Sequence, residues 1–203
     1  ARDRYGLLFH TPQRRLLDIE LRAEGTTRIA TGDVLAVDTP QGDLVVAFSH
    51  WHTLIGVTPN DTRLQLRFEG GPTASWKDPF RVSEDEKNHD VLALVEKGGR
   101  FALSYGETVA QAQQRAKAGL ELEVADEVSK RLAIYHEIPS LKSPELDRLL
   151  KKCVSVMKVN TLSKEGAIHQ SWSTPDRVPH KHMWLWDSVF HSFAMSRLLP
   201  RLS

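Results

Sequence analysis

The sequence has one cysteine, almost no net charge and no long apolar run, and each of these absences excludes a class of protein. Cys153 alone cannot form an internal disulfide or a thiolate metal cage. The 27 basic and 26 acidic side chains leave a net charge of +1, so we expect no nucleic-acid partner and no anionic membrane partner. No apolar stretch approaches the roughly 18 residues of a membrane-spanning helix.

The sequence also shows no secretory signal, which would require a basic segment followed by an apolar one. Together with the lack of disulfide-forming cysteines, this predicts a cytoplasmic location. What is present is an ordinary globular composition: 203 residues, of which 40% are hydrophobic and 26% are charged.

The first half of the chain consists of short apolar stretches separated by turn residues. Leu64, Leu66 and Phe68 alternate with polar residues, as in a half-buried strand. Gly98 and Gly99 separate the two arms of a hairpin. The candidate strands are 5–9, 15–23, 33–38, 43–49, 54–58, 63–69, 91–95 and 100–105. Their number and spacing predict an antiparallel β-sandwich over residues 1–106.

The second half has helical patterning. Good helix formers fill residues 108–117, and we expect Gly119 to interrupt that helix. Residues 107–141 are interpreted as a helical linker. A new helix is predicted at Ser143, since serine is a good N-cap and Pro144 suits the first helical position. Apolar residues then recur at helical spacing and predict one buried stripe: Leu146, Leu149, Leu150, Cys153 and Met157. This placement favours Cys153 as a packed apolar residue rather than a nucleophile.

Residues 168–191 carry an unusual concentration of imidazole and indole side chains. Four of the nine histidines and three of the five tryptophans lie there: His169, His180, His182, His191, Trp172, Trp184 and Trp186. Indole rings stack on the apolar faces of a pyranose, and its hydroxyls need fixed acceptors and forked donors. In a helix that starts at Trp184, both Asp187 and His191 would share its face. The composition is consistent with a sugar pocket.

Other interpretations fit the same residues. Trp184 and Trp186 are also typical of core aromatics beside Phe190 and Phe193. Asp187 has the alternatives of an N-cap or of a partner for Arg177 or His191. His180 and His182 raise the possibility of zinc, but their spacing matches no standard zinc signature. Elsewhere, residues 49–52 (Ser-His-Trp-His) resemble a strand end, and residues 84–87 (Glu-Asp-Glu-Lys) a solvated charged loop.

Three motifs together resemble glycoside hydrolase family 63. They are K-V-N-T-L-S-K-E-G from Lys158, W-S-T-P-D-R-V-P-H from Trp172 and M-W-L-W-D-S-V-F-H from Met183. The family includes α-glucosidases and belongs to the six-hairpin glycosidases, along with trehalases and glycogen-debranching glucosidases. The resemblance covers about residues 139–195. It implies a β-sandwich followed by an (α/α)6 catalytic barrel, an order that the strands-then-helices pattern reaches independently.

The resemblance also implies roles for individual residues. Asp187 corresponds to the aspartate that holds the hydroxyls of the sugar at the cleavage site. Trp184 and Trp186 would form the pocket wall, and the nearby polar support would come from Arg177, His180 and His191. The general acid and base of the family lie later in the barrel, so we expect no catalytic residue within this chain. Neither a metal nor a cofactor is implied.

Simple counting agrees with that expectation. Twelve barrel helices of about 11–12 residues with their connections require well over about 150 residues, whereas about 60 follow Leu141. Residues 142–203 are therefore expected to be the start of the barrel. The chain would be the amino-terminal part of an inverting α-glycosidase acting on α-linked gluco-oligosaccharides. By itself it would be inactive, and its partners would be the oligosaccharide and the rest of its barrel. The alternatives are a carbohydrate-binding module and a purely structural β-sandwich.

Overall fold

The chain is a mixed β and α protein, as the sequence predicts, and it divides into two compact units, residues 1–131 and 132–203. The computed structural model describes residues 4–10, 16–22, 25–59, 64–68, 75–77, 79–85, 90–162, 167–175 and 183–200. None of the helices in these ranges is both long enough and apolar enough to cross a membrane.

The first unit is built from two antiparallel sheets. The strands are β1 (Arg4–His10), β2 (Leu16–Arg22), β3 (Thr26–Ala30), β4 (Val34–Thr39), β5 (Gly42–His50), β6 (Thr53–Val57), β7 (Leu64–Phe68), β8 (Ser75–Lys77), β9 (Phe80–Asp85), β10 (Asp90–Lys97) and β11 (Arg100–Gly106). The larger sheet has the order β3-β4-β5-β6-β11-β10-β9-β8, and the smaller one has the order β1-β2-β7. Neighbours along the chain mostly pair as hairpins, including β10 with β11 across Gly98 and Gly99.

Three of these strands are absent from the sequence prediction, namely β3, β8 and β9. The interpretation of residues 84–87 as a loop is wrong for Glu84 and Asp85, which end β9. Phe80 and Val82 alternate with polar residues in this strand, and Val82 is buried while Glu84 is exposed. The charges at its end mask the period-2 signal that the apolar residues carry.

The central strands of the larger sheet carry buried apolar residues on both faces. One face carries a cluster of residues that are at most 7% exposed: Leu35, Val37, Leu44, Val46, Leu54, Leu92, Leu94, Phe101, Leu103 and Tyr105. The opposite face combines strand residues such as Ile55, Ala93 and Ala102 with Ala112, Ala116 and Val124 from two helices. The core of the first unit therefore extends on both sides of this sheet.

Helix α1 (Val109–Leu120) lies against that second face and continues through Gly119. It ends at Leu120, so the interruption that the sequence predicts at Gly119 lies one residue before the end of the helix. A Cβ atom at this position would lie 2.8 Å from Thr53 Cγ2 and 3.2 Å from Ala102 Cβ. Glycine is thus required for close packing of the helix on the sheet, which offsets its unfavourable helix propensity of about 1 kcal/mol.

Helix α2 (Val124–Leu132) is also tied to the first unit. The Arg131 guanidinium donates hydrogen bonds to the carbonyls of Phe48 at 2.7 Å and Ser49 at 2.8 Å. The first compact unit extends through Arg131. Within residues 107–131, helices α1 and α2 pack on the sheet through Ala112, Ala116 and Val124.

The second unit contains α3 (Ile134–Glu137), α4 (Pro144–Val159), the short pair β12 (Thr161–Leu162) and β13 (Trp172–Ser173), and α5 (Leu185–Leu198). The predicted start of α4 is confirmed. Ser143 is the N-cap, its Oγ accepts a hydrogen bond from the Leu146 N–H at 3.4 Å, and Pro144 is the first helical residue.

Helix α4 has two apolar faces, and not the single buried stripe predicted from the sequence. Leu150, Val154 and Met157 belong to the core of the second unit, with Val154 fully buried. Leu146, Leu149, Cys153 and Val156 are instead exposed, Leu149 by 57%. The prediction that Cys153 is a packed core residue is wrong, because 3.6-residue spacing shows that residues share a face and does not show whether that face is covered.

Candidate functional site

The candidate site lies where helix α5 begins. Trp184 is the N-cap residue with an extended backbone, and the Ser188 N–H closes the first turn on the Trp184 carbonyl at 2.9 Å. Asp187 is in that first turn, so the interpretation of Asp187 as the N-cap is wrong. A carboxylate in this position benefits from the positive end of the helix dipole.

The aromatic side chains around Asp187 are largely exposed. Trp184 is 48% exposed and Trp186 77%, and both Phe190 and Phe193 are also exposed. The rings of Trp186 and Phe190 lie 6.2 Å apart, one helical turn from each other. The alternative that these residues form a core does not hold for the second unit, which buries Met195 from the same helix instead.

The start of α5 is anchored to strand β13. Ser188 Oγ donates a hydrogen bond to the Ser173 carbonyl at 3.0 Å. The segment after β13 is tied in turn to the end of α4, since the Thr174 N–H donates to the Asn160 carbonyl at 3.0 Å and Asn160 Nδ2 donates to the Pro175 carbonyl at 2.9 Å. Asn160 and Thr174 are both buried. The three motifs of the sequence therefore meet in one unit, through bonds from buried residues.

Two nitrogen atoms near this anchor are buried and have no hydrogen-bond partner among the described residues. They are His191 Nδ1 in α5 and Trp172 Nε1 in β13. A buried polar atom without a hydrogen-bond partner destabilises the folded state by about 1–3 kcal/mol. The sequence analysis identifies His191 as a site residue but does not include Trp172. Its position as the first residue of the second motif could have identified Trp172 as a candidate.

Two of the predicted site residues, Arg177 and His180, lie in residues 176–182, outside the described residues. The same holds for His182 and hence for the zinc alternative. Within the described ranges, no group of three or more His, Cys, Asp or Glu side chains is arranged to hold a metal ion. Asp187 forms no ion pair with His191.

The structure thus brings together Trp184, Trp186, Asp187 and His191 on or beside one helix, with Trp172 on the strand that anchors it. This arrangement offers exposed aromatic surface, one carboxylate acceptor and an imidazole. Asp187 is the acidic residue of α5 itself. Comparisons of the chain with protein-family models, with curated proteins and with solved structures return no match.

Proposed function

We propose that the chain forms part of an inverting α-glycosidase of the glucosidase class, which hydrolyses α-linked gluco-oligosaccharides. The observation that carries this proposal is the exposed pair of indoles, Trp184 and Trp186, beside Asp187 in the first turn of α5. Indole rings and a helix-terminal carboxylate are suited to the apolar faces and the hydroxyls of a pyranose, respectively. The reaction class comes from the resemblance of the three motifs to family 63.

In this proposal Asp187 binds substrate and does not transfer protons. Its carboxylate accepts hydrogen bonds from hydroxyls of the sugar at the cleavage site, while Trp184 and Trp186 form the wall. Arg177, His180 and His191 supply further polar contacts. The general acid and the general base come from later helices of the barrel, where inversion requires carboxyl groups roughly 6.5–9.5 Å apart to admit a water molecule.

The apolar faces of the second unit support a partner made of further barrel helices. On α4 the exposed residues 146, 149, 153 and 156 follow the a and d spacing of a helix–helix seam. Apart from the tryptophans of the proposed pocket wall, the exposed apolar residues on α5 are Leu185, Val189, Phe190 and Phe193. Apolar helix faces of this extent are normally covered by other helices. We therefore propose that both helices belong to an (α/α)6 barrel.

The burial of the larger sheet supports a sandwich in the first unit. The face formed by Val37, Leu44, Leu92 and their neighbours is closed to solvent, although α1 and α2 pack on the opposite face. A second layer must cover it, and the three-stranded sheet β1-β2-β7 is the element of the right kind.

We also propose a cytoplasmic location, which fractionation of cells expressing the natural protein would check.

The experiment is a kinetic comparison in the complete natural protein that contains this chain. The release of glucose is measured from α-1,2-, α-1,3-, α-1,4- and α-1,6-linked glucose disaccharides. Asp187→Asn is expected to lower kcat/KM by about 100-fold, which corresponds to about 2.7 kcal/mol, or the loss of one charge-assisted hydrogen bond. Asp126→Asn is the matched control, because Asp126 is an exposed aspartate in the first turn of α2.

Two results would contradict the proposal. The first is that the unaltered protein hydrolyses none of the four disaccharides. The second is that Asp187→Asn behaves like Asp126→Asn. Hydrolysis by the 203-residue chain alone would show that the acid and the base lie within it, against the assignment of roles above.

The alternative function is a non-catalytic carbohydrate-binding or structural module. It is favoured by one observation, a half-exposed tryptophan, Trp51, on the first unit. A binding module would bind glycans while the complete protein releases no glucose from any of the four disaccharides. The kinetic comparison, with a binding titration of the same protein, therefore separates the two functions.

A further inference from the structure

The turn between β5 and β6 carries an aromatic cluster that the sugar pocket on α5 does not use. The rings of His50 and His52 are stacked 5.3 Å apart and nearly parallel, with 3° between their planes. Trp51 stands between them in sequence and meets His52 edge-on at 5.0 Å. Its side chain is 51% exposed, so one part of the indole faces solvent while the other part is held.

The indole of Trp51 is held in place by contacts with two residues of the first unit. The ring of Tyr105, which is buried on β11, lies 6.0 Å from it. The Arg115 guanidinium of α1 lies 5.7 Å from the centre of the indole ring, within cation–π distance. Arg115 is itself held, because its Nη1 donates to the Tyr105 carbonyl at 2.9 Å. These contacts limit the rotamers open to Trp51, which lowers the entropy lost when a ligand binds.

A chain of buried hydroxyls orients the second histidine. His52 Nδ1 is hydrogen-bonded to Thr53 Oγ1 at 2.7 Å, and Thr53 Oγ1 to Ser104 Oγ at 2.8 Å. Burial, and then the positive charges of Arg115 and His50, lower the pKa of His52 to about 4. His52 is therefore a neutral imidazole at pH 7, and Arg115 is the charged group beside the indole.

We propose that Trp51, Arg115 and His50 form a binding site for a pyranose ring of a gluco-oligosaccharide, separate from the pocket on α5. The ring stacks on the exposed part of the indole. Arg115 keeps N–H donors beyond the one used on Tyr105, in a fork suited to two adjacent sugar hydroxyls. His50 is exposed at the end of β5 and offers a further polar contact. Such a site would hold a glycan chain on the first unit whether or not the second unit takes part in hydrolysis.

The test uses the 203-residue chain labelled with 5-fluorotryptophan and observed by fluorine NMR. The chain has five tryptophans, and the signal that disappears in Trp51→Leu is assigned to Trp51. Titration with maltotriose and maltohexaose is expected to shift that signal saturably, with Kd of about 1 mM or lower. Arg115→Gln is expected to weaken binding at least about fivefold while the urea midpoint of unfolding changes little.

The control is Trp186→Leu, which alters the proposed pocket on α5 and leaves the turn intact. The Trp51 signal should shift equally in this variant. The proposal is overturned if the Trp51 signal does not move with either saccharide up to ~10 mM. It is also overturned if Arg115→Gln binds as the unaltered chain does, or if Trp186→Leu abolishes the shift. Because no hydrolysis is measured, failure here is distinct from failure of the glycosidase proposal.

Discussion

The close packing of α1 on the larger sheet predicts that this helix cannot accept a larger side chain at Ala116. Ala112, Ala116 and Gly119 share one buried face of the helix, and Ala112 and Ala116 are 0% exposed. Ala116→Leu adds three carbon atoms to a contact where a single Cβ at Gly119 would already lie 2.8 Å from Thr53 Cγ2. The change therefore tests how closely α1 packs on the sheet.

The expected loss can be worked from competing terms. If space were available, burying three further carbons would stabilise the fold by about 2.4 kcal/mol. With no space, the helix must move or the side chain must leave its rotamer, which costs about 1–3 kcal/mol and forfeits that gain. The difference in helix propensity between alanine and leucine is only a few tenths of a kcal/mol, roughly. We therefore expect Ala116→Leu to lower the free energy of unfolding by about 1–3 kcal/mol.

The assay is urea unfolding followed by far-UV circular dichroism. The matched control is Ala118→Leu, since Ala118 is exposed two residues further along the same helix. The control should change the free energy of unfolding by less than about 0.5 kcal/mol. If both variants are equally stable, α1 does not lie closely on the sheet and the reasoning is refuted.

Three further predictions concern caps, faces and pH. Ser143→Ala removes the N-cap of α4 and should lower the free energy of unfolding, measured by urea titration, by about 1 kcal/mol. Ser129→Ala, on the exposed surface of α2, is the control. An equal effect of the two substitutions would argue against a capping role. In the same chain, Val154→Ala should destabilise by about 1–3 kcal/mol and Leu149→Ala by much less, because Val154 is buried and Leu149 is not; the reverse order would contradict the two-faced helix. The pKa of His52 is about 4 in the folded chain, below its ordinary value of 6.5. As the pH falls through this range, the unfolded chain takes up a proton that the folded chain does not. The free energy of unfolding should therefore decline from pH 6.5 to pH 4. His52→Gln should remove up to about 1 kcal/mol of that decline, a value limited by solvent screening, and an unchanged pH slope would disprove the assignment.

The sequence alone predicts an element boundary correctly where a residue type has one well-defined structural role, such as a helix N-cap or a tight turn. The Ser143-Pro144 pair places the start of α4 within one residue, and the glycine pair places the hairpin of β10 and β11. Hydrophobic periodicity and composition do not show how closely two secondary-structure elements pack. Gly119 therefore reads as a helix breaker, although its contact with Thr53 makes it the residue that the packing requires.

The candidate site likewise has one part that the sequence predicts and another part that it does not. The motif around Trp184 places Asp187 at the start of a helix, and the structure has α5 begin at Leu185. The bond between Ser188 and Ser173 joins residues that are distant in sequence, and the Trp172 Nε1 atom is buried beside it on β13. No periodicity encodes such contacts, and for this reason Trp172 is absent from the predicted site residues.

The two hydrogen bonds from Arg131 to the carbonyls of Phe48 and Ser49 have a practical consequence for any dissection of the protein. They join the last turn of α2 to the irregular end of β5, where the register with β6 shifts between Phe48 and His50. A polypeptide that stops at residue 106 would expose the face of the sheet that carries Ile55, Ala93 and Ala102, and it would lack the Arg131 guanidinium. The smallest autonomous folding unit that includes the Trp51 turn therefore extends through Arg131.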